Sequence, residues 1–307
     1  MNFLYALEGI RTPILDKIMS LITYLGGEAV FIAAAIIIFW CLSKNCGYYM
    51  MTVGFAGIII NQFLKLWFRI PRPWVKDPNF TIVESARADA SGYSFPSGHT
   101  QNAFATLGAP ARFYKNTAVR IVLVILIALT AFSRMYLGVH TPLDVGVSLV
   151  VGTILVFVIY PFFRDMNEKP KQVYIIFALF IILSAAFVAF VELYDFPADI
   201  DAENYAEGLK NAYMMLFCSL GLMLCYFTDT KYIHFQTQAV WWAQIIKVVV
   251  GLGILLGLKA ILKAPLLALF GGHNIAHGIR YFIVIIFAGI IWPLTFKFFA
   301  KLGKNKV

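Results

Sequence analysis

The chain has 307 residues, 61% of them apolar and only 13% charged, and its mean hydropathy is +0.79. Soluble domains are about half apolar and about a quarter charged, so these proportions exclude a disordered chain and a disulfide scaffold and argue against a soluble nucleic-acid binder. The net charge of +9 reads instead as the Lys/Arg excess of cytoplasmic loops in a polytopic membrane protein, and no nucleic-acid partner is expected.

A helix needs roughly 20 apolar residues to cross a hydrocarbon core about 30 Å thick. Such blocks lie in chain order at 20–42, 47–68, 97–114, 117–138, 142–163, 171–193, 209–228, 239–260 and 278–300. The fold class expected is therefore an all-α polytopic membrane protein with about nine transmembrane helices. The third block is the most polar, with Ser97, His99, Gln101, Asn102 and Arg112. It can span only with that face turned to other helices. Residues 1–16 and 262–272 read as short interfacial pieces. No cleavable signal is visible, so the first span is expected to act as the insertion signal. Cys41, Cys46, Cys218 and Cys225 lack zinc-ligand spacing and read as small apolar side chains.

If the spans alternate, Lys44, Arg112, Lys115, Arg120, Arg164, Lys169, Lys171, Lys231, Lys297, Lys301, Lys304 and Lys306 share one side, which the positive-inside rule makes cytoplasmic. The acidic stretch Asp195, Asp199, Asp201, Glu203 and Glu207 falls on the other side and reads as a solvated loop. The expectation is an integral plasma-membrane protein with its N-terminus outside and its C-terminus cytoplasmic. Lys65, Arg69, Arg72, Lys76, Arg87 and Arg134 break the rule. Cations gathered at span ends on the translocated side point to an anionic ligand. Lys259, Lys263 and Arg280 break it too, with no motif around them.

Three segments reach that outer side. The first runs from Lys65 to Pro73; its seven-residue spacing predicts Lys65 and Arg72 on one helix face with Arg69 beside them, and Pro71 and Pro73 end the helix. Taken alone it reads equally as a snorkelling anchor. The second is Pro96-Ser97-Gly98-His99: Ser97 suits an N-cap, Gly98 lets backbone N–H groups approach an anion, and His99 stands at the rim of that phosphate seat. The third joins two spans through Ser133, Arg134, His140 and Asp144, with Thr141-Pro142 as N-cap and N1. Asp144 at N3 serves a capping box in the bland reading. In the chemical one it accepts an imidazole N–H, fixing the His140 tautomer and leaving its other nitrogen nucleophilic.

In order and spacing these segments resemble the signature of the type 2 phosphatidic acid phosphatase (lipid phosphate phosphatase) superfamily, integral membrane branch: Lys-x6-Arg-Pro, Pro-Ser-Gly-His and Ser-Arg-x5-His-x3-Asp. All eleven fixed positions are present, at Lys65, Arg72, Pro73, Pro96, Ser97, Gly98, His99, Ser133, Arg134, His140 and Asp144. The resemblance spans about residues 20–160. It implies a phosphatase core over 1–165, whose five spans carry the motifs, and leaves 166–307 as a four-helix transmembrane region of unknown role, with substrate entry and dimerisation as candidates. It implies that His140 attacks phosphorus, that Asp144 orients it, and that His99 protonates the leaving group and then activates water. Lys65, Arg72, Ser97, Gly98 and Arg134 would hold the phosphoryl oxygens.

Phosphoryl transfer needs mainly positioning and charge stabilisation. Glu84 and Asp89 are too dispersed to hold magnesium, so no metal or cofactor is expected. The expected activity is metal-independent hydrolysis of a lipid phosphate monoester or undecaprenyl-type diphosphate at the outer face, with a membrane lipid as partner and substrate. A lipid phosphotransferase on the same core and a phosphatase for soluble sugar phosphates, like the glucose-6-phosphatase branch, are the alternatives. A transporter is disfavoured because the charges gather at one face rather than the midplane. Lys247 reads as a snorkelling residue, Trp241, Trp242 and Trp292 as interface anchors, and His273 and His277 as a polar pair at a helix start.

Overall fold

The computed structural model describes residues 1–90 and 92–302, so Lys304 and Lys306 of the expected cytoplasmic tail lie outside the described residues. In chain order the α-helices are α1 (Asn2–Gly9), α2 (Pro13–Thr23), α3 (Glu28–Ile37), α4 (Lys44–Phe68), α5 (Pro73–Lys76), α6 (Gly98–Ala103), α7 (Ala109–Phe113), α8 (Thr117–Tyr136), α9 (Pro142–Arg164), α10 (Pro170–Leu193), α11 (Ala202–Thr228), α12 (Trp241–Ile261), α13 (Lys263–Leu269), α14 (Ile275–Ile286) and α15 (Phe296–Phe299). No strand occurs among the described residues, and the chain is an all-α polytopic membrane protein.

Seven helical stretches among the described residues are long and apolar enough to cross a membrane. An eighth is a pair, Pro13–Gly26 and Glu28–Leu42, bent by 51°. By length and composition the count is thus seven or eight, so the expected figure of about nine is approximate. The block at 97–114 folds as α6, a π-helical turn at Phe104–Gly108, and α7. That unbroken helix of roughly 16 residues is about 24 Å long. Ser97 caps its start by accepting from Thr100 N–H, and Tyr114 leaves it in an extended conformation. Its polar composition and short length put it below the rest.

By its internal contacts the chain forms two compact units. One comprises Met1–Ile32, Tyr49–Arg164 and Asp195–Gly208; the other comprises Ala33–Tyr48, Asp165–Tyr194 and the chain from Leu209. The units interleave in sequence: one cut falls after Arg164, while residues 33–48 join the second unit and 195–208 the first.

In the first unit, the segment between α5 and α6 folds over the α8–α9 turn. Ala86, Ala90, Tyr136, Leu137 and Val139 form one buried apolar cluster, closed by Leu15, Met19, Trp74, Val83 and Phe132. Leu4, Phe80 and Ile82 form another, against Trp74 and Met135. Val83 N–H donates to Leu137 C=O at 3.1 Å, tying this segment to the turn. The amphipathic α2 packs on α8, and Arg11 donates to the carbonyls of Tyr136 and Thr81.

In the second unit the intramembrane Lys247 is 0% exposed. It does not snorkel. Its ammonium donates to the carbonyls of Trp40 at 2.8 Å and Thr237 at 3.1 Å and stands 4.4 Å from the Phe296 ring centre. These are carbonyls that a π-turn and a loop leave open, and low dielectric makes the bonds strong. Trp292, expected at an interface, is buried instead and donates to Lys247 C=O at 3.2 Å. Trp241 is exposed.

Candidate active site

The first motif reaches the site by a route the spacing did not predict. The helix ends at Phe68, and Arg69 takes a left-handed φ of 48°. Arg72 is therefore not two turns along the face of Lys65; it stands in extended backbone at the start of α5. Pro71 and Pro73 forbid continuation of the helix. Arg69 turns aside to donate to Leu66 C=O. Lys65 and Arg72 nevertheless converge: both are buried, and Lys65 has Arg72, Arg134 and Glu207 as charged neighbours.

Hydrogen bonds to the residues around it fix Arg72. Its Nε donates to Gly92 C=O at 2.9 Å, and its Nη1 donates to Val139 C=O at 2.9 Å and to His140 Nε2 at 3.0 Å. A guanidinium can only donate, so Nε2 carries a lone pair and the imidazole proton sits on Nδ1. That nitrogen faces Asp144 Oδ2 at 3.6 Å. His140 is 2% exposed. Burial foremost, with the Arg72 and Arg134 cations, holds it well below the ordinary imidazole range, against the opposing pull of Asp144.

Asp144 caps α9 as the sequence offered, and its carboxylate faces the His140 imidazole, whose Nδ1 is buried and makes no hydrogen bond. Its Oδ2 accepts from Thr141 N–H at 2.7 Å while Thr141 Oγ1 accepts from Asp144 N–H at 3.3 Å, a reciprocal cap that starts α9. The same oxygen faces His140 and accepts from Ser94 Oγ. The tight turn between α8 and α9 uses Gly138 at φ 82°, where a side chain would also meet Arg11 and Phe80.

The second motif starts α6. Ser97 is buried, its N–H donates to Asp144 C=O, and its own carbonyl accepts from Ser148 Oγ at 2.9 Å. Gly98 follows, where a Cβ would meet Asn61 Oδ1 at 3.8 Å, an ordinary contact. His99 has Arg134, His140, Arg72 and Lys65 as its electrostatic neighbours. Its position depends on Gly26, because any side chain there would collide with the His99 carbonyl. Arg134 is 0% exposed, bonded by Nη1 to Thr23 Oγ1 at 2.7 Å. Its Nε and Nη2 are buried without a partner. The eight predicted site residues thus come together, with N–H donors left over for an anion.

Several supporting residues carried no sequence signal. Thr23 lies in α2, far from every motif. Asn61, one helical turn before Lys65, donates to Pro96 C=O at 3.3 Å, and Ser148 stands one turn after Asp144; a search of motif helices at i±4 finds both. The acidic stretch is solvated at Asp195, Asp199, Asp201 and Glu203 but not throughout. Asn204 is buried and accepts from Tyr93 N–H at 2.9 Å, beside the Gly92 carbonyl that holds Arg72. Among the described residues no three His, Cys, Asp or Glu side chains converge as a metal site.

Comparison with known proteins agrees with this constellation. Residues 45–168 match the PAP2 superfamily, and residues 213–305 match its phosphatase transmembrane extension. The chain is 37% identical over 158 residues to undecaprenyl-diphosphatase BcrC of Bacillus subtilis (strain 168), covering 50% of this chain and 77% of that protein. The chain belongs to the PAP2 superfamily. Another PAP2 relative, phosphatidylglycerophosphatase B of the same organism, is 30% identical over 176 residues, 53% of this chain and 80% of its own length. The lipid A 4'-phosphatase of Porphyromonas gingivalis is 26% identical over 167 residues, 52% of this chain and 70% of that one. No solved structure matches the chain. As a PAP2 protein with a transmembrane extension, the chain is a membrane hydrolase of phosphoric monoesters or diphosphates.

Proposed function

We propose that this enzyme hydrolyses a lipid phosphate monoester or an isoprenoid (undecaprenyl-type) diphosphate at the non-cytoplasmic membrane face, through a phosphohistidine on His140. The observation that carries the reading is the row Arg72–His140–Asp144, with Arg134 beside it offering two buried, unpartnered donor nitrogens. A phosphoryl group entering the site takes up those donors together with Arg72, Lys65, Ser97 and the Gly98 N–H. Arg72 then releases His140 Nε2, whose lone pair attacks phosphorus. The N–P bond forms as the P–O bond to the leaving group breaks, and His99 gives that oxygen its proton. His99 next takes a proton from water, water oxygen attacks phosphorus, the N–P bond breaks, and phosphate leaves. Asp144 balances the imidazolium charge. Lys65, Arg72 and Arg134 supply the positive charge that phosphoryl transfer needs.

A lipid substrate is supported by an apolar hollow of about 640 Å³ between the 98–113 helix, α8 and α9, lined among others by Phe104, Val124, Ile127, Ala131 and Val156. One end adjoins Met135 and Val145, the chain neighbours of Arg134 and Asp144. An acyl or isoprenoid chain fits such a lining; a sugar does not need one. The names of the bacterial relatives agree with the lipid class. The cations that break the positive-inside rule support the outer face, with the 98–113 helix crossing the bilayer.

The test is phosphate release by purified protein in detergent with EDTA, from undecaprenyl diphosphate, phosphatidic acid, phosphatidylglycerophosphate and glucose 6-phosphate, with His140→Ala alongside. Release from the lipids that the substitution abolishes is the expected result. Preference for glucose 6-phosphate would move the assignment to sugar phosphates. Release undiminished in His140→Ala would overturn the phosphohistidine.

A further inference from the structure

Arg280 lies on α14, within a stretch apolar enough to span, and is 7% exposed. Its Nε is buried without a hydrogen-bond partner. Among the described residues no carboxylate forms an ion pair with it within 4.0 Å. The ring of its chain neighbour Tyr281, 5.2 Å away, offers no acceptor for that N–H. A buried arginine with no counter-ion and an unpartnered Nε is costly in apolar surroundings, and such groups mark ligand or ion sites.

Other cations gather round it. Arg280, Lys210 and Lys263 are the charges that act on His277, and Lys259 stands 5.3 Å from the Tyr281 ring centre. The packing of α11 on α14 accounts for this. A Cβ on Gly278 would strike the Phe217 ring, so the two backbones run close there. Lys210 lies seven residues before Phe217 on the same face of α11. Glu192 accepts from Tyr213 Oη at 2.9 Å and pairs with none of these cations. Lys210 and His277 are half-buried and Lys263 is exposed, so the cluster has an open rim above a buried floor.

Two arginines of the other unit calibrate this pattern. Arg112 also has an unpartnered Nε, but its guanidinium is stacked 3.9 Å from the Tyr160 ring centre, which stabilises the charge. Arg134 has no such ring and forms part of the phosphate seat. Arg280 stands between the two: its ring contact is longer, 5.2 Å against 3.9 Å, and its Nε, like that of Arg134, has no partner.

We propose that Arg280, Lys210, Lys263 and His277 form a second anion site, in the C-terminal region, that binds a phosphate group, either on a lipid headgroup or free. A guanidinium fork and two ammonium groups suit a tetrahedral oxyanion, and phosphate is the anion that a bilayer presents at span ends. The site does not depend on the phosphatase reading of the core.

Native mass spectrometry of the full chain released from detergent, with phosphatidylglycerol as probe, tests the lipid source. Thermal unfolding with millimolar inorganic phosphate tests the free anion. Arg280→Gln is compared with wild type, and a Lys210→Gln/Lys263→Gln double variant covers the case in which loss of the buried arginine prevents folding. Retained phosphatidylglycerol falling about tenfold or more in a folded variant supports the site with a headgroup as ligand. Phosphate stabilising wild type but not the variants, with lipid retention unchanged, supports the site with free phosphate as ligand. Lipid retention and phosphate stabilisation both equal to wild type in the folded variants would overturn it.

Discussion

His140 works as a nucleophile only while Nε2 keeps its lone pair, and the residues around it decide over what pH range that holds. Burial and the Arg72 and Arg134 cations depress its protonation. The neutral, reactive form therefore persists to more acid pH than in a free imidazole, and activity is lost only as pH falls through the depressed value. The acid limb of kcat/KM should lie below the ordinary imidazole value of 6.5. Removing the adjacent cation with Arg72→Gln should lower the rate and move that limb upward; a limb that stays in place would contradict the assignment to His140. His140→Ala should cut phosphate release by about 1,000-fold or more, and Asp144→Asn by about 100-fold. The Asp144 variant also weakens the α9 cap, so its melting temperature should fall while that of His140→Ala changes less.

At the scale of elements, three connections set the site: the broken end of α4, the start of α6 and the α8–α9 turn. Proline and glycine made each break legible, since Pro71, Pro73, Gly98 and Pro142 stand where helices stop or start. The direction in which the chain leaves each break was not legible. Arg72 reaches His140 because Arg69 turns left-handed and because Gly92, in a segment without periodicity, offers its carbonyl. Asn204 orders that segment from the start of α11. Asn204→Ala should leave Tyr93 N–H without its acceptor, at a cost of about 1–3 kcal/mol in stability. It should also lower kcat about tenfold with little change in KM for a small substrate; an unaltered kcat would show that Arg72 holds its place without it. Gly26→Val should act similarly through His99, since the carbonyl that a side chain displaces belongs to the residue proposed as the general acid.

On the scale of the whole molecule, the apolar hollow beside α8 and α9 ties substrate choice to the length of the apolar chain. Each buried methylene contributes about 0.8 kcal/mol, so shortening the isoprenoid of a diphosphate substrate should raise KM progressively. Ala131→Trp, which fills the hollow, should raise KM for long-chain substrates and leave hydrolysis of a water-soluble phosphate ester unchanged; equal effects on both would separate the hollow from the substrate. The sequence by itself determined that this is a helical membrane protein, where most of its spans lie, and which eight residues are candidates for the site, because apolar block length, helix-breaking residues and motif spacing are local properties of the chain. Whether the polar 98–113 helix crosses depends on what covers it, which no local property of the chain decides. Only the tertiary structure decided that Arg72 bonds His140 Nε2, that Thr23 holds Arg134, that Asn204 supports Gly92 and Tyr93, that Lys247 closes open carbonyls, and that Arg280 has no counter-ion among the described residues. Each is a pairing between segments distant in sequence, and which buried donor meets which acceptor is set by how the helices pack.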